Sequence, residues 1–496
     1  MNDVFYGLLL LGHWQAVKTE GNLPSTPGEI SIPAKKTPAR HSLNFSPASF
    51  SPQALESPES YKKRENAGKV VCSLNVPEHS DWSWEEENRS FYPSVELRGM
   101  EFNSIHEYGG ARLFRMEAIL DDYVEKMGND IDHYLDSYEP WPLDVSSQAE
   151  RRFLGRVCVE GDGRINMHSV MLEGHSNSTK DGKPVLVDTS LMTNPAEGKP
   201  PVPFAFFPGQ VVVAEGKNER GRVIHCSKVY SKATAPFPPC PSITIETGPL
   251  RVVIGAGPFT QTDSLSYQPM KDLVEYVTLH KPHVLILIGP FVDALHPHVS
   301  GEQVSPIAET YSKYFERMVD GLLDSLRGMN VHVVLVASPR DVNTCGVYPT
   351  LPFSTWQQKD VGYPKRPKLT MAPDPCMLDI EGVVIGVTST DILMHISRDE
   401  TASNNHSLDR LSRLSRHIIE QRNFYPLYPS DPSLCLDVPL WKEICYMPMT
   451  PHILVLPSDF RCFAKKFFAF FSSINILLHQ LYHKMPICAG TLIELI

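Results

Sequence analysis

Three apolar runs in the second half of this 496-residue chain end in loops that carry carboxylates. Residues 284–292 (VLILIGPFV) close on Asp293, residues 331–337 run into Ser338-Pro339-Arg340-Asp341, and residues 452–456 run into Pro457-Ser458-Asp459. Carboxylates that converge at strand ends are the raw material of a divalent-metal site, because hard cations take oxygen and nitrogen donors. His296 and His298 lie just beyond Asp293 and could supply nitrogen to a displaced site. The competing reading makes them loop histidines at a solvent-facing turn. In that reading Asp293 caps a helix or binds loop amides, and Arg340 and Asp341 pair with each other's neighbours. Arg340 also brings positive charge to the place where a cation would bind. Two carboxylates without a histidine would hold a metal pair poorly.

Those loops need elements to position them. A run that is apolar at every position cannot be a half-exposed strand, so 284–288 reads as a strand buried on both faces, in a parallel sheet covered by helices. Ligands of such sheets sit beyond the carboxyl ends of the strands, which makes 289–293 the place to look for chemistry. Further strands are expected at 250–255, 331–337, 382–388 and 452–456, with helices near 270–280, 306–327 and 409–422. The alternation predicts a layered sheet with helices on its faces.

Ahead of it, residues 152–236 carry five short candidate strands (153–160, 169–172, 183–187, 210–215 and 223–230) separated by Gly-, Asp- and Asn-rich turns. That count suits a five-stranded OB barrel. Few aromatics and no dense basic set lie on these strands. The barrel is therefore expected to serve protein contacts, with single-strand DNA binding as the alternative. Before the barrel, Leu113, Met116, Leu120, Tyr123, Met127, Ile131 and Tyr134 recur at helical spacing.

Residues 21–60 are rich in Pro and Ser and read as a disordered tail. It holds five proline-directed pairs, so Thr26, Thr37, Ser46, Ser51 and Ser57 are candidate phosphorylation sites. The expected organisation is a disordered tail over 1–98, a helical lead-in over 99–145, the OB barrel over 146–236, an α/β domain over 243–460 and an atypical segment over 461–496. A net charge of -11 disfavours direct nucleic-acid attraction. The ten cysteines form no CxxC pair, which suits reduced thiols in a nuclear or cytosolic protein. No apolar run is long enough to span a membrane, and the first residues lack a basic secretory n-region.

Several phrases then carry a resemblance. Gly257-Pro258-Phe259-Thr260, Leu287-Ile288-Gly289-Pro290-Phe291-Val292-Asp293, Ser338-Pro339-Arg340-Asp341-Val342, Thr388-Ser389-Thr390-Asp391 and Gln421-Arg422-Asn423-Phe424-Tyr425-Pro426-Leu427-Tyr428-Pro429 occur in order over 112–460. Together they resemble the B-subunit family of replicative DNA polymerases, in the form found with DNA polymerase alpha–primase. The resemblance implies an OB barrel packed on a calcineurin-like phosphoesterase domain. Active enzymes of that fold hold two metals with Asp-x-His, Gly-Asp-x-x-Asp, Gly-Asn-His-Asp/Glu, a lone His and Gly-His-x-His. Here the first loop is Gly255-Ala256-Gly257-Pro258, Pro290 stands for the bridging Asp, Arg340 for the catalytic His, and Leu456-Pro457-Ser458-Asp459 for Gly-His-x-His.

The resemblance therefore implies an inactive phosphoesterase with no metal and no cofactor. Its implied role is that of a nuclear scaffold, which grips the C-terminal domain of the catalytic chain of polymerase alpha and meets primase and DNA through the complex. A metal-dependent phosphodiesterase or exonuclease remains the enzymatic alternative. The family's N-terminal helical recruiting domain has no counterpart before the tail. The segment from Phe463 onward departs from the family's closing strands, and is expected to leave a sheet edge unpaired and the chain poorly soluble.

Overall fold

The structure is a computed structural model that describes residues 112–132, 139–195, 200–239, 250–354, 365–403 and 409–467 with few breaks. It also describes 8–11, 70–74, 92–98, 108–110, 474–480 and 492–495, and single residues such as Tyr61. The five candidate phosphorylation sites and Tyr134 lie outside the described residues.

Two sheets form the body of the second half. The first has the strand order Lys368–Ala372, His332–Val336, Val284–Ile288, Val252–Ala256, Leu492–Leu495, Leu8–Leu11, Val70–Leu74, and its first four strands run parallel. The second has the order Phe463–Phe467, Ile474–Gln480, Ile453–Ser458, Val383–Val387, Cys376–Ile380, Val95–Leu97. Alternation along each strand explains the packing. Val252, Ile254, Ile286, Ile288 and Val334 turn towards Leu378, Ile385 and Val455 of the second sheet. Val253, Leu285, Leu287 and Val333 turn the other way, onto the helices Gln268–His280 and Tyr311–Ser325.

The 284–288 run is thus buried on both faces, but only one cover is helical. The other is a second sheet, and an unbroken apolar run reads the same under either cover. The helices Ile392–Asp399, Arg410–Glu420 and Val438–Ile444 cover the outer face of the second sheet through Leu393, Ile396, Leu414, Ile418 and Trp441. The result is four layers, helix–sheet–sheet–helix.

Ahead of this body, Ser147–Cys158, Met171–Glu173, Val185–Asp188, Val223–Tyr230 and Val211–Asn218 close into a five-stranded barrel. Phe153, Val157, Val212, Ala214 and Ile224 fill it. Their neighbours Leu154, Val211 and Val213 face outward into a core shared with Leu411, Ile418, Tyr425 and Leu427 of the α/β body. The helix Leu113–Asp132 drives Ile119, Leu120, Tyr123, Val124, Met127 and Ile131 into the same core. Leu113, expected on that face, is instead 83% exposed because the helix reaches the core only from its second turn. A two-stranded annex of Phe204–Phe206 and Thr401–Ser403 also joins barrel to body.

Two expectations about the chain's ends are corrected. Composition reads 1–98 as disordered throughout, yet Leu8–Leu11, Val70–Leu74 and Val95–Leu97 are strands of the two sheets. Short apolar runs inside a polar stretch find ladder partners that average composition hides. Likewise 461–496 is expected to leave an edge unpaired. Ile474–Gln480 instead pairs with Ile453–Ser458, Phe463–Phe467 pairs with Ile474–Gln480, and Leu492–Leu495 pairs with Val252–Ala256. Ile453–Ser458 thus has a partner on each side, and the second sheet ends instead on Phe463–Phe467.

Candidate functional site

The loops after the first sheet's strands pack on one another. Gly257 donates its N–H to Ile288 O at 2.7 Å, and Gly289 donates to Val336 O at 3.0 Å. Neither glycine has room for a side chain. A Cβ on Gly257 would stand 2.3 Å from Pro290 O, and one on Gly289 would stand 2.9 Å from Ser338 Cβ. After Pro258 and Pro290 the chain sends Phe259 and Phe291 into the core, stacked at 5.5 Å. Space that could have received a ligand holds backbone and two phenyl rings.

The two carboxylates are then tied down. Val342 N donates to Val292 O at 3.0 Å and Ala294 N to Arg340 O at 2.9 Å, so Asp293 and Asp341 face each other across an antiparallel bridge. Arg340 Nη2 donates to Asp293 Oδ2 at 2.6 Å, and Leu295 N donates to its Oδ1 at 3.1 Å. Asp341 Oδ2 accepts from Phe291 N at 2.7 Å and Val292 N at 3.0 Å, while its Oδ1 accepts from Asn343 N at 2.9 Å. Burial pushes the Asp341 carboxyl above the usual carboxylate range, and the amides of Asn343, Val292 and Phe291 offset this only in part.

His296 is buried rather than solvent-facing. Its Nε2 is 2.8 Å from Gln261 O and its Nδ1 accepts from His298 N at 3.1 Å, so both ring nitrogens are used. His298 commits Nδ1 to Val304 O at 2.8 Å. These residues do not fit a pair of divalent ions, since both carboxylates are committed to an arginine and loop amides and three of the four ring nitrogens to the backbone, which leaves too few donors. Among the described residues no group of three or more His, Cys, Asp or Glu is placed to hold a metal.

Ser458 and Asp459 engage a different partner. Asp459 N donates to Asp391 Oδ2 at 2.7 Å, Asp391 Oδ1 caps the helix Ile392–Asp399 through Met394 N at 3.0 Å, and Ser458 Oγ accepts from Phe460 N at 3.2 Å. Nearby, the fully buried Asp374 accepts from Thr388 Oγ1 and Ser389 N, both at 2.8 Å. Burial raises its carboxyl to about 6. Sequence reasoning missed Asp374. Its one signal is an acidic residue between two prolines in an otherwise apolar stretch.

The second missed group is the joint between the two bodies. Gln421 Oε1 accepts from Val211 N at 2.8 Å, and its Nε2 donates to Val211 O at 3.0 Å and Ser231 O at 3.1 Å. One side chain thus satisfies the backbone of a barrel strand as a neighbouring strand would. Tyr428 N donates to Pro208 O at 3.1 Å beside Gly209, whose φ is +91° and whose added Cβ would meet Tyr428 N at 2.4 Å. Tyr123 OH donates to Gln421 O at 3.0 Å, and Arg422 pairs with Asp130 at 2.7 Å, so the Leu113–Asp132 helix closes the joint. The 421–429 phrase therefore fastens barrel, helix and body together.

Comparison with known proteins agrees with this picture. A family model described as the B subunit of DNA polymerase alpha/epsilon matches residues 252–465. A second, described as the OB domain of the DNA polymerase alpha B subunit, matches residues 117–232. The DNA polymerase alpha B subunit of Rattus norvegicus is 31% identical over 459 residues, covering 91% of this chain and 72% of that protein. Its Bos taurus counterpart is 30% identical over 444 residues, covering 89% and 70%. The counterpart in Drosophila melanogaster is 33% identical over 313 residues, covering 63% and 47%. With a barrel where the family has its OB domain and these matches over most of its length, the chain belongs to the family of DNA polymerase alpha B subunits.

Proposed function

We propose that this chain is a non-catalytic scaffold of a DNA polymerase alpha–primase assembly in the nucleus. Its two-sheet body, over 243–460, is read as a calcineurin-like phosphoesterase fold that has lost its metal chemistry. The four-layer build and the loop set Gly257-Pro258, Gly289-Pro290, Arg340-Asp341 and Ser458-Asp459 support that reading. The observation that carries it is the Arg340–Asp293 pair at 2.6 Å. A guanidinium occupies the carboxylate that a metal would need, and the amides of Phe291 and Val292 occupy the other. The partner is the C-terminal domain of the polymerase's catalytic chain, gripped by barrel and body together, with primase and DNA reached through the complex.

Two measurements test this. The chain should co-purify with that C-terminal domain as a stable stoichiometric complex, and separation of the two on a sizing column would defeat the scaffold reading. It should also leave labelled oligonucleotides and a chromogenic phosphodiester intact in Mn²⁺. Cleavage that tracks the protein peak and disappears with Asp341→Asn would defeat the non-catalytic reading.

A further inference from the structure

Residues 92–98 cross from the first sheet to the second, and each contact along the way is specific. At one end the Tyr92 ring stacks on His332 at 5.9 Å and lies 5.6 Å from Lys368 Nζ. Its hydroxyl accepts from Lys368 N at 3.2 Å and donates to Val331 O at 3.4 Å. Midway, Ser94 N and Oγ donate to Glu381 Oε1 at 2.7 and 3.2 Å. At the far end Val95–Leu97 pairs antiparallel with Cys376–Ile380, with Val95 and Leu97 packed on the inter-sheet core. Arg98 then pairs with Asp379 and donates its N–H to Met377 O at 2.9 Å.

The two strands of this pair are unequal. Cys376–Ile380 is buried at every position and is held on its other side by Val383–Val387. The added strand is three residues long, and its flanking contacts sit at the surface, with the Arg98 side chain 45% exposed. Without it, an apolar strand would present an open row of N–H and C=O groups. A buried edge strand that is completed by a short extended segment, with side-chain pockets at fixed spacing, is the geometry of β-strand addition.

We propose that the outer edge of Cys376–Ile380 is a strand-docking groove that reads Tyr-x-Ser-Val-x-Leu-Arg, and that residues 92–98 fill it as a releasable latch. The aromatic is read by His332 and Lys368, the serine by Glu381, the two apolar residues by the inter-sheet core and the arginine by Asp379. Opening of the latch uncovers the edge of the second sheet.

The test uses the full chain and a fluorescent peptide of residues 90–100. A chain carrying Val95→Asp and Leu97→Asp has a weakened latch and an intact groove. It should bind the peptide at least tenfold more tightly than the unmodified chain does. An Arg98→Glu peptide should bind that chain at least tenfold more weakly, and Asp379→Arg in the groove should restore it. Equal peptide affinity for both chains, or no loss with the Arg98→Glu peptide, overturns the proposal. Should the double variant fail to fold, hydrogen exchange on the unmodified chain decides. The amides of 376–380 should exchange faster than those of 383–387 and slow when peptide is in excess. Equal rates, or no response to peptide, overturn the latch.

Discussion

Asp293 and Asp341 are the same chemical group at equivalent strand ends, and their neighbours give them different tasks. Asp293 neutralises Arg340, and Asp341 organises the turn it faces. Arg340→Ala leaves a buried carboxylate without its partner and should cost about 1–3 kcal/mol, read as a lowered Tm. Asp341→Asn removes a charged acceptor from two amides and should cost a similar amount, with no phosphodiesterase activity appearing in either variant. A second residue-scale prediction concerns pH. Burial lowers His395 to about 4, although the Asp431 carboxylate opposes this. The folded state thus keeps His395 neutral while the unfolded chain protonates near 6.5. Its contribution is complete above about 6.5 and is lost as pH falls towards 4, by about 2–3 kcal/mol. Asp374, raised to about 6 by burial, has the opposite sign: its contribution is present at low pH and lost as pH rises through 6. His395→Gln should therefore flatten the fall in Tm between about pH 7 and 4.5, and an unchanged slope would refute the assignment. The carboxylates were legible in the sequence as the ends of apolar runs. The loop amide on Asp293 was legible too, but its Arg340 partner was not, because Arg340 lies 47 residues from Asp293 in the chain and only the sheet register brings them together.

At the scale of elements, period and turn chemistry exposed ten of the 22 described strands, because alternation survives in sequence wherever one face differs from the other, while strands such as Phe204–Phe206, Lys368–Ala372 and Cys376–Ile380 escaped it. The barrel strands were visible for that reason. The cover on the 284–288 strand was not, since helix and sheet both demand apolar side chains. The 421–429 phrase stood out as a string without a task, because its partners on the barrel are 210 residues away. Its task can be tested directly. Gln421→Ala strands the buried N–H and C=O of Val211 and the Ser231 carbonyl, at a cost of about 2–4 kcal/mol. Gly209→Ala must place a Cβ 2.4 Å from Tyr428 N at a positive φ, so the barrel has to move off the body. It should lower stability markedly. Gly321→Ala, in the helix Tyr311–Ser325, adds a Cβ that meets nothing within 4 Å and should leave stability unchanged or slightly raised. Chemical denaturation of the three variants would rank them.

At the scale of the whole molecule, barrel and body share one core. Leu154, Val211 and Val213 from the barrel, Tyr123 and Met127 from the Leu113–Asp132 helix, and Ile418, Tyr425 and Trp441 from the body are buried in a single cluster. Two bodies joined only by a linker would unfold in two steps, each with its own midpoint. Two bodies that bury their largest apolar faces against each other lose that burial together, so neither is stable after the other has gone. Calorimetry should accordingly give one transition for the unmodified chain, with calorimetric and van't Hoff enthalpies in agreement. Gln421→Ala combined with Gly209→Ala weakens the joint but leaves both interiors, the Phe153–Ile224 barrel core and the Val252–Val455 inter-sheet core, untouched. The same scan on that variant should broaden the transition or split it in two, and a transition as sharp as that of the unmodified chain would mean that the shared apolar core and the Phe204–Phe206 annex carry the coupling without the Gln421 joint. A partner gripped by both bodies at once needs them held at a fixed angle. On the proposed scaffold reading, the weakened variant should therefore also bind the polymerase's C-terminal domain at least tenfold more weakly at temperatures below its first transition.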